Sequence, residues 1–376
     1  MSSASESVRV FVGGLVHDDW EAYEVDSDLL IPADAWRVRL SLKDIAIPKS
    51  IKPGAPVNVR VGDDLVMDGH IDRVSQSVSK HGRHVEISGR DGAAVLLDCS
   101  SPLFTVLSVS LQDVIAKAVR KFGVKKIRVD ASATRTREKV SVNPGESAWQ
   151  VLTNVAEANG LWPWFEPDGT LVVGGPNYDK PPVATLVVRY DGQGNNTISL
   201  EHEASIHGRY SQVTVLGQKP GTRSEQGRHN IKETAYDAGV TWYRPKIVQD
   251  YEADSPAVAL DRARKLLADS RLNACTMVAT VAGHRMAMPT GQQGTGLLWT
   301  PGQRIRVISE PHQIDDIFFL MARRFTGGRS EGARTRLTLK EDRSWVLDAH
   351  PHKRKYRCKK DSATLEVWDG SKGAGK

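Results

Sequence analysis

Apolar and polar residues alternate along much of this chain, and the period of the alternation changes along it. Trp36, Val38, Leu40 and Leu42 are interleaved with Arg37, Arg39 and Ser41. A period of two predicts a strand with one buried face. Val57, Val59 and Val61 repeat the pattern up to a turn at Gly62-Asp63-Asp64. Residues 8–12, 67–78 and 84–88 predict further strands, and Pro48, Pro53, Gly54 and Pro56 punctuate a loop. Short strands so closely spaced predict a small antiparallel barrel or sandwich. Asp91 to Asp98 predicts a helical turn that closes this part.

The period then lengthens. Ser110 opens a predicted helix whose Leu111, Val114, Ile115, Ala118, Val119 and Phe122 share one face, and Gly123 ends it. A short strand is expected at Ile127 to Val129. The sharpest local signals lie in residues 140–177. Asn143-Pro144-Gly145 is a turn, and Ser147 with Gln150 has the spacing of a capping box. Trp149, Leu152 and Ala156 fall on one helical face, with Val155 beside them, and Asn159-Gly160 is the expected stop. Leu161 to Phe165 and Thr170 to Val173 then predict a hairpin around Pro167-Asp168-Gly169. Residues 101–180 form a mixed α+β region with Trp149 as its buried anchor.

After a hinge at Asp179-Lys180-Pro181-Pro182, strand patterns resume at 185–190, 198–202 and 212–216. Residues 217–235 read as a polar mobile loop. Ser255-Pro256 is a cap with proline at the first helical position, and Leu260, Ala263, Leu266 and Leu267 give that helix its apolar face. Strands are expected near 273–282, 304–309, 317–325 and 334–340. The order is strand-rich, mixed, strand-rich, and 376 residues suffice for two to four domains.

Composition narrows the class. No run approaches the ~18–20 apolar residues of a membrane helix, and the first residues carry neither the basic nor the apolar region of a secretory leader. Cys99, Cys275 and Cys358 are scattered and odd in number, which points to a reducing compartment during folding. The net charge of +6 suggests nucleic acid until it is located. Residues 346–376 hold eight Lys/Arg and four Asp/Glu, so most of the excess sits in a tail and the body is nearly balanced.

Candidate chemistry is sparse. Gly328-Arg329-Ser330-Glu331-Gly332 matches G-x-S-x-G, but a strand pattern follows where a nucleophile elbow needs a helix, so a hairpin tip is expected. The acid pairs Asp18-Asp19, Asp63-Asp64 and Asp315-Asp316 adjoin turns, and neighbours on a strand face opposite ways. His350, His352 and Cys358 lack zinc spacing and a fourth ligand, and His81 and His84 fit a polar hairpin tip. Neither a P-loop nor a dinucleotide fingerprint is present, so no cofactor is expected. The run HKRKYRCKK at 352–360 is the one charge block, and Lys353, Arg354, Lys355 and Arg357 are its candidate contacts to an acidic protein or to phosphates.

Four segments, taken in order, carry a family resemblance: VEISGRDGAAVLLDCS, SLQDVIAKAVRKFG, GESAWQVLTNVAEANG with its following hairpin, and LLWTPGQRIRV. Together they resemble the phage late control protein D group, and especially Mu-like phage baseplate hub proteins, over roughly residues 8–345. The resemblance implies an α+β, predominantly antiparallel β fold with two tube-like β-barrel domains and an inserted α+β domain. It implies a first barrel of residues 1–100 plus 185–218, an insert of 101–184, a second barrel with one helix at 219–345, and a basic tail from 346 to 376. It further implies a homotrimer joining the sixfold tail tube to the threefold central spike. Baseplate wedge proteins and a tape measure protein are then expected neighbours, with DNA only in transit through the channel. The expected place is the virion tail, after assembly in the host cytoplasm. The resemblance, together with the lack of a credible active site, implies a non-enzymatic hub; the alternative is a tail-tip cell-wall hydrolase.

Overall fold

The computed structural model describes residues 6–18, 20–42, 47–80, 82–130, 137–157, 161–219, 228–250, 253, 255–287 and 296–345. Its described residues form two compact units, one from Met1–His202 with Met277–Asp342, the other from Glu203–Thr276 with Arg343–Lys376.

The first unit opens with β1 (Val8–Val12), β2 (Leu15–His17), β3 (Ala22–Asp28), β4 (Ala35–Leu42), β5 (Pro56–Val61), β6 (Asp64–Ser79) and β7 (Gly82–Asp91). The expected alternation is realised: Trp36 and Val38 are buried while Arg37 and Arg39 are exposed. Val57, Val59 and Val61 are buried in the same way. The β6–β7 ladder shifts register between Ile71 and Arg73. There the backbones press together, so a Cβ on Gly89 would stand 1.9 Å from the His70 carbonyl oxygen. Only glycine fits such an approach.

The chain then builds α1 (Ala93–Asp98), β8 (Thr105–Val109), α2 (Leu111–Val119), β9 (Ile127–Val129), β10 (Arg137–Ser141), α3 (Ala148–Glu157), β11 (Trp162–Phe165) and β12 (Leu171–Gly174). Ser110 Oγ accepts from the Asp113 N–H at 3.2 Å, and Ser147 Oγ accepts from the Gln150 N–H at 3.1 Å. Glu146 turns back to accept from the Asn143 N–H at 2.8 Å. The expected stop at Asn159-Gly160 lies outside the described residues. β11 and β12 pair as the predicted hairpin, and β12 also pairs with β9 in parallel. Leu111, Ile115, Val119, Trp149, Leu152 and Leu171 meet in a core of their own.

β13 (Ala184–Val188) and β14 (Ser199–Ala204) follow; further on come β15 (Gln212–Lys219), β16 (Arg228–Tyr236), β17 (Pro245–Gln249) and α4 (Pro256–Ala274), then β18 (Cys275–Ala282), β19 (Arg304–Ser309), β20 (Ile314–Gly327) and β21 (Arg334–Glu341). In the first unit the hydrogen-bonded order is β14-β18-β21-β20-β3-β4-β7-β6-β5-β1-β2, with β13 joined to β19 and β19 to β20, a sheet of 13 strands. β20 organises it. Its first half pairs with β19, its second half with β3, and β21 runs along its other edge. A register shift between Leu320 and Ala322 marks the change of neighbour.

The early and late strands therefore share one core, where Val10, Val25 and Trp36 join Met277, Phe325 and Leu339. Each large side chain so buried contributes about 1.5–3 kcal/mol. Among the described residues no sheet closes on itself, and the fold is predominantly antiparallel β with four α-helices. Among the described residues the barrels expected from the resemblance are not closed: the strand sets are spliced through β20 rather than each curling onto its own edge.

The second unit holds a three-stranded sheet in the order β16-β15-β17, and Val213, Val215, Ile231 and Ala235 pack with Ala259, Ala263 and Leu267 of α4. Ser255 caps α4 as expected, accepting from the Val258 N–H at 3.4 Å. One expectation is corrected here: residues 228–236, read as part of a mobile loop, are strand β16. Only Ile231 and Ala235 of that strand carry an inward apolar signal, too little for the periodicity to register.

Candidate functional site

The G-x-S-x-G segment sits at the tip between β20 and β21, where the Gly328 N–H donates to the Glu331 carbonyl at 3.2 Å. It is a hairpin connection, as its flanks predicted. Asp63 and Asp64 lie at the β5–β6 turn, and Arg9 holds Asp63 at 2.7 Å while Arg285 holds Asp64 at 2.7 Å. Asp315 forms a two-pronged pair with Arg306 at 2.8 Å on both arms. That hydrogen-bonded contact holds the Asp315 carboxyl below its usual range. Asp19, His81, His350, His352, Cys358 and the basic contacts Lys353, Arg354, Lys355 and Arg357 lie outside the described residues. Among the described residues, no three His, Cys, Asp or Glu side chains group as metal ligands.

Two polar clusters that the motifs did not announce lie inside the first unit. In one, Tyr23 Oη and His284 Nε2 are 2.8 Å apart, and Nδ1 is 3.2 Å from Thr335 Oγ1. Thr335 donates in turn to the Gly283 carbonyl at 2.6 Å. His284 is fully buried. Burial first, then the charges of Arg323 and Arg285, bring its pKa down to about 3. Burial, with the nearby Glu6 charge, raises that of Tyr23. A neutral, enclosed imidazole with both nitrogens engaged ties strands together; it has no open side for a substrate.

In the other cluster Arg323 donates from Nη1 to the Val25 carbonyl at 3.1 Å, and its guanidinium lies 4.0 Å over the Phe325 ring. Burial lowers its pKa to about 10, against the pull of Asp34 and Asp26. Asp34 accepts from the Asp28 N–H at 3.0 Å, and Asp91 accepts from the Ala93 N–H at the start of α1 at 2.9 Å. Burial lifts the Asp34 carboxyl to about 6. Burial and the Asp34 charge push Asp91 well above the carboxylate range. The sequence did carry a signal for Arg323. Within β20 it shares parity with Met321 and Phe325, both buried, whereas Arg324 faces out.

The second unit contributes a surface. Rows read from the register are Tyr236–Gln212–Pro245 and Thr234–Thr214–Ile247, on the side opposite Val213 and Val215. Ile247 is 67% exposed, Tyr243 76% and Trp242 54%. The loop bearing Trp242 and Tyr243 is braced from below. Asp237, whose side chain is fully buried, binds Arg209 at 2.9 Å and Arg271 at 3.5 Å. Burial opposes ionisation there, but the Arg209 hydrogen bond, the Gly239 N–H and the Arg271 charge outweigh it and hold the carboxyl below its usual range. Arg244 adds a hydrogen bond to the Arg209 carbonyl at 3.0 Å. Rigid presentation of aromatic side chains suits recognition rather than turnover.

Comparison with known proteins points to phage tails. Residues 7–91 match the family described as Mu phage baseplate assembly protein GpP-like, N-terminal, and residues 93–175 match Baseplate hub protein gp44-like, second domain. Residues 209–267 match Tail protein NMB1110-like, third domain, and residues 269–344 match a tail protein C-terminal domain. The tail protein from Neisseria meningitidis MC58 is 39% identical, superposes with a TM-score of 0.79, and aligns over 92% of this chain and 99% of its own. The 43 kDa tail protein of prophage MuSo2 from Shewanella oneidensis shares the fold with a TM-score of 0.78 at 20% identity, over 90% and 99% of the two chains. Baseplate hub protein gp44 of Escherichia phage Mu is 22% identical over 353 residues, 89% of this chain and 88% of that one. These relatives are tail and baseplate proteins. The chain belongs to the Mu-like phage baseplate hub family.

Proposed function

We propose that the chain is the non-catalytic hub of a contractile tail's baseplate, three copies forming a ring between the sixfold tail tube and the threefold central spike. The observation that carries this reading is the end-to-end match to tail proteins, at 39% identity over 92% of the chain. The open sheet supports it: strands such as β2 and β14 end the 13-stranded order, and pairing between copies would both finish a barrel-like wall and protect those edges. The exposed Ile247, Trp242 and Tyr243 of the second unit support further contacts of the same kind.

In this reading the parts are those of the sequence analysis: a tube-like β-barrel domain from residues 1–100 plus 185–218, an α+β insert at 101–184, a second tube-like domain at 219–345 and a basic tail. Wedge proteins and the tape measure protein surround the ring, and DNA passes through it. Assembly takes place in the host cytoplasm and the finished place is the virion baseplate. Lys353, Arg354, Lys355 and Arg357 make a partner contact from the tail.

Light scattering coupled to size exclusion tests the ring. A species of about three times the 41.3 kDa chain mass is expected; a monomer at micromolar concentration overturns it. Release of sugars or peptides from peptidoglycan by the purified protein would instead establish the hydrolase alternative.

A further inference from the structure

On the side of the large sheet opposite its core, arginines of neighbouring strands face each other. The register sets Thr280, Arg336, Arg324 and Asp26 in one row across β18, β21, β20 and β3. Ala282, Arg334, Thr326 and Glu24 make the next row. Arg324, Arg334 and Arg336 are exposed, whereas Phe325, Thr335 and Leu337, of the other parity, are buried. Directly opposed residues hold their Cβ atoms about 4.5–5.5 Å apart, and like charges so placed are destabilising. Arg336 and Arg324 are such a pair, and Arg334 stands two positions along β21.

Other exposed arginines of this sheet are matched by carboxylates. Arg306 holds Asp315 at 2.8 Å, and Arg39 reaches Glu86 at 3.5 Å. Arg324 is drawn sideways, to Glu24 at 3.4 Å and Asp26 at 3.8 Å. The side chains of Arg334 and Arg336 make neither an ion pair nor a hydrogen bond among the described residues. The fold therefore keeps a repulsive pair and supplies no anion of its own to relieve it.

The surroundings decide which anion fits. A guanidinium presents a planar fork of donors that matches a carboxylate or a phosphate. Glu24 and Asp26 lie on the strand next to β20, about 4.8 Å away. A uniform polyanion laid over the sheet, such as a nucleic-acid strand, meets those carboxylates at once. Single carboxylates brought down from a polypeptide do not. On the other flank Thr280 and Ala282 are short and leave room for an approaching chain.

We infer that the outer face of β21 and β20 is a contact surface for an acidic polypeptide, whose Asp or Glu carboxylates accept from Arg334 and Arg336 and offset the repulsion with Arg324. The inference does not depend on the ring proposed above.

The test uses the full chain at low salt and a short fluorescein-labelled peptide of alternating Glu and Ser, read by fluorescence anisotropy. As a strand that peptide carries its acids on one face. Saturable binding is expected, about tenfold tighter than that of the matching Gln and Ser peptide. Arg334→Gln combined with Arg336→Gln should weaken the acidic peptide about tenfold. Lys117→Gln combined with Lys121→Gln removes the same charge from exposed positions of α2 and should leave binding unchanged. An equal loss in both double variants overturns the proposal, because net charge alone would then explain the attraction. So does tighter binding of a single-stranded oligonucleotide of equal charge to the unsubstituted chain, a comparison that requires no variant to fold. Absence of saturable binding overturns it outright. A ligand-free check is the urea midpoint of Arg336→Gln, which should rise as one of two opposed cations is removed. An unchanged or lower midpoint removes the repulsion on which the inference rests.

Discussion

The insert and the second unit are both small α+β pieces, yet they use their apolar residues in opposite ways. In the insert, α1, α2 and α3 pack their buried faces onto one another and onto β12, enclosing Ile115, Leu152 and Leu171. In the second unit α4 covers one face of β16-β15-β17, and the other face leaves Ile247 and Tyr236 in solvent. An element that closes its own core is stabilised from within. A sheet that leaves large apolar side chains such as Ile247 in solvent keeps part of its stabilisation for a contact still to be made.

The largest effect expected is at the insert's anchor. Trp149→Ala should cost about 3–5 kcal/mol in chemical denaturation, because the indole fills a core that has no slack to collapse. A loss below about 1 kcal/mol would show that the insert's core is not self-sufficient. In the second unit, Asp237→Ala should cost about 2–3 kcal/mol, somewhat less than a fully buried pair because Arg209 and Arg271 reach water. Acidification adds a signature. The Asp237 carboxyl titrates below its unfolded value, so its contribution is present above about pH 4 and is lost only as pH falls through its lowered folded value.

Asp34 behaves with the opposite sign. Its folded pKa of about 6 exceeds the unfolded value, so its contribution is complete below about pH 4 and disappears as pH rises through 6. Asp34→Asn should therefore gain stability relative to the parent on going from pH 4 to pH 7, measured as the difference in urea midpoints at each pH. A pH-independent difference would break the assignment. Next, Ser147→Ala should cost about 1 kcal/mol through loss of the α3 cap. Smallest in stability is Ile247→Ser on the solvent face, within about 0.5 kcal/mol. Its effect is expected instead in a smaller apparent mass on size exclusion. A folded variant with unchanged assembly would remove that face from the contact.

Much of this was legible in the residues, for a physical reason. Caps at Ser110, Ser147 and Ser255 and the hairpin around Asp168-Gly169 depend on neighbours within a few positions, which a linear reading contains. Parity along β4 and β5 told which side chains turn inward. It could not tell which strand lies alongside, so the parallel pairs β13–β19 and β15–β17 went unseen, as did the splice at β20. The polar cluster of Tyr23, His284 and Thr335 was hidden for the same reason: its members lie up to 312 positions apart along the chain and meet only when β3, β20 and β21 are side by side. Arg323 was the exception, marked by its place in an apolar strand beside Met321 and Phe325.

The splice also sets a timetable for synthesis. Val25 and Arg323, joined across β3 and β20, are separated by 298 positions. A ribosome releases β3 long before the strand that will lie against it exists, and the nascent sheet must wait with one ladder of amides unsatisfied. Pairing over so long a span is slow and leaves the waiting edge open to strangers. The early strands are thus natural clients for a holding chaperone until the last sixth of the polypeptide emerges.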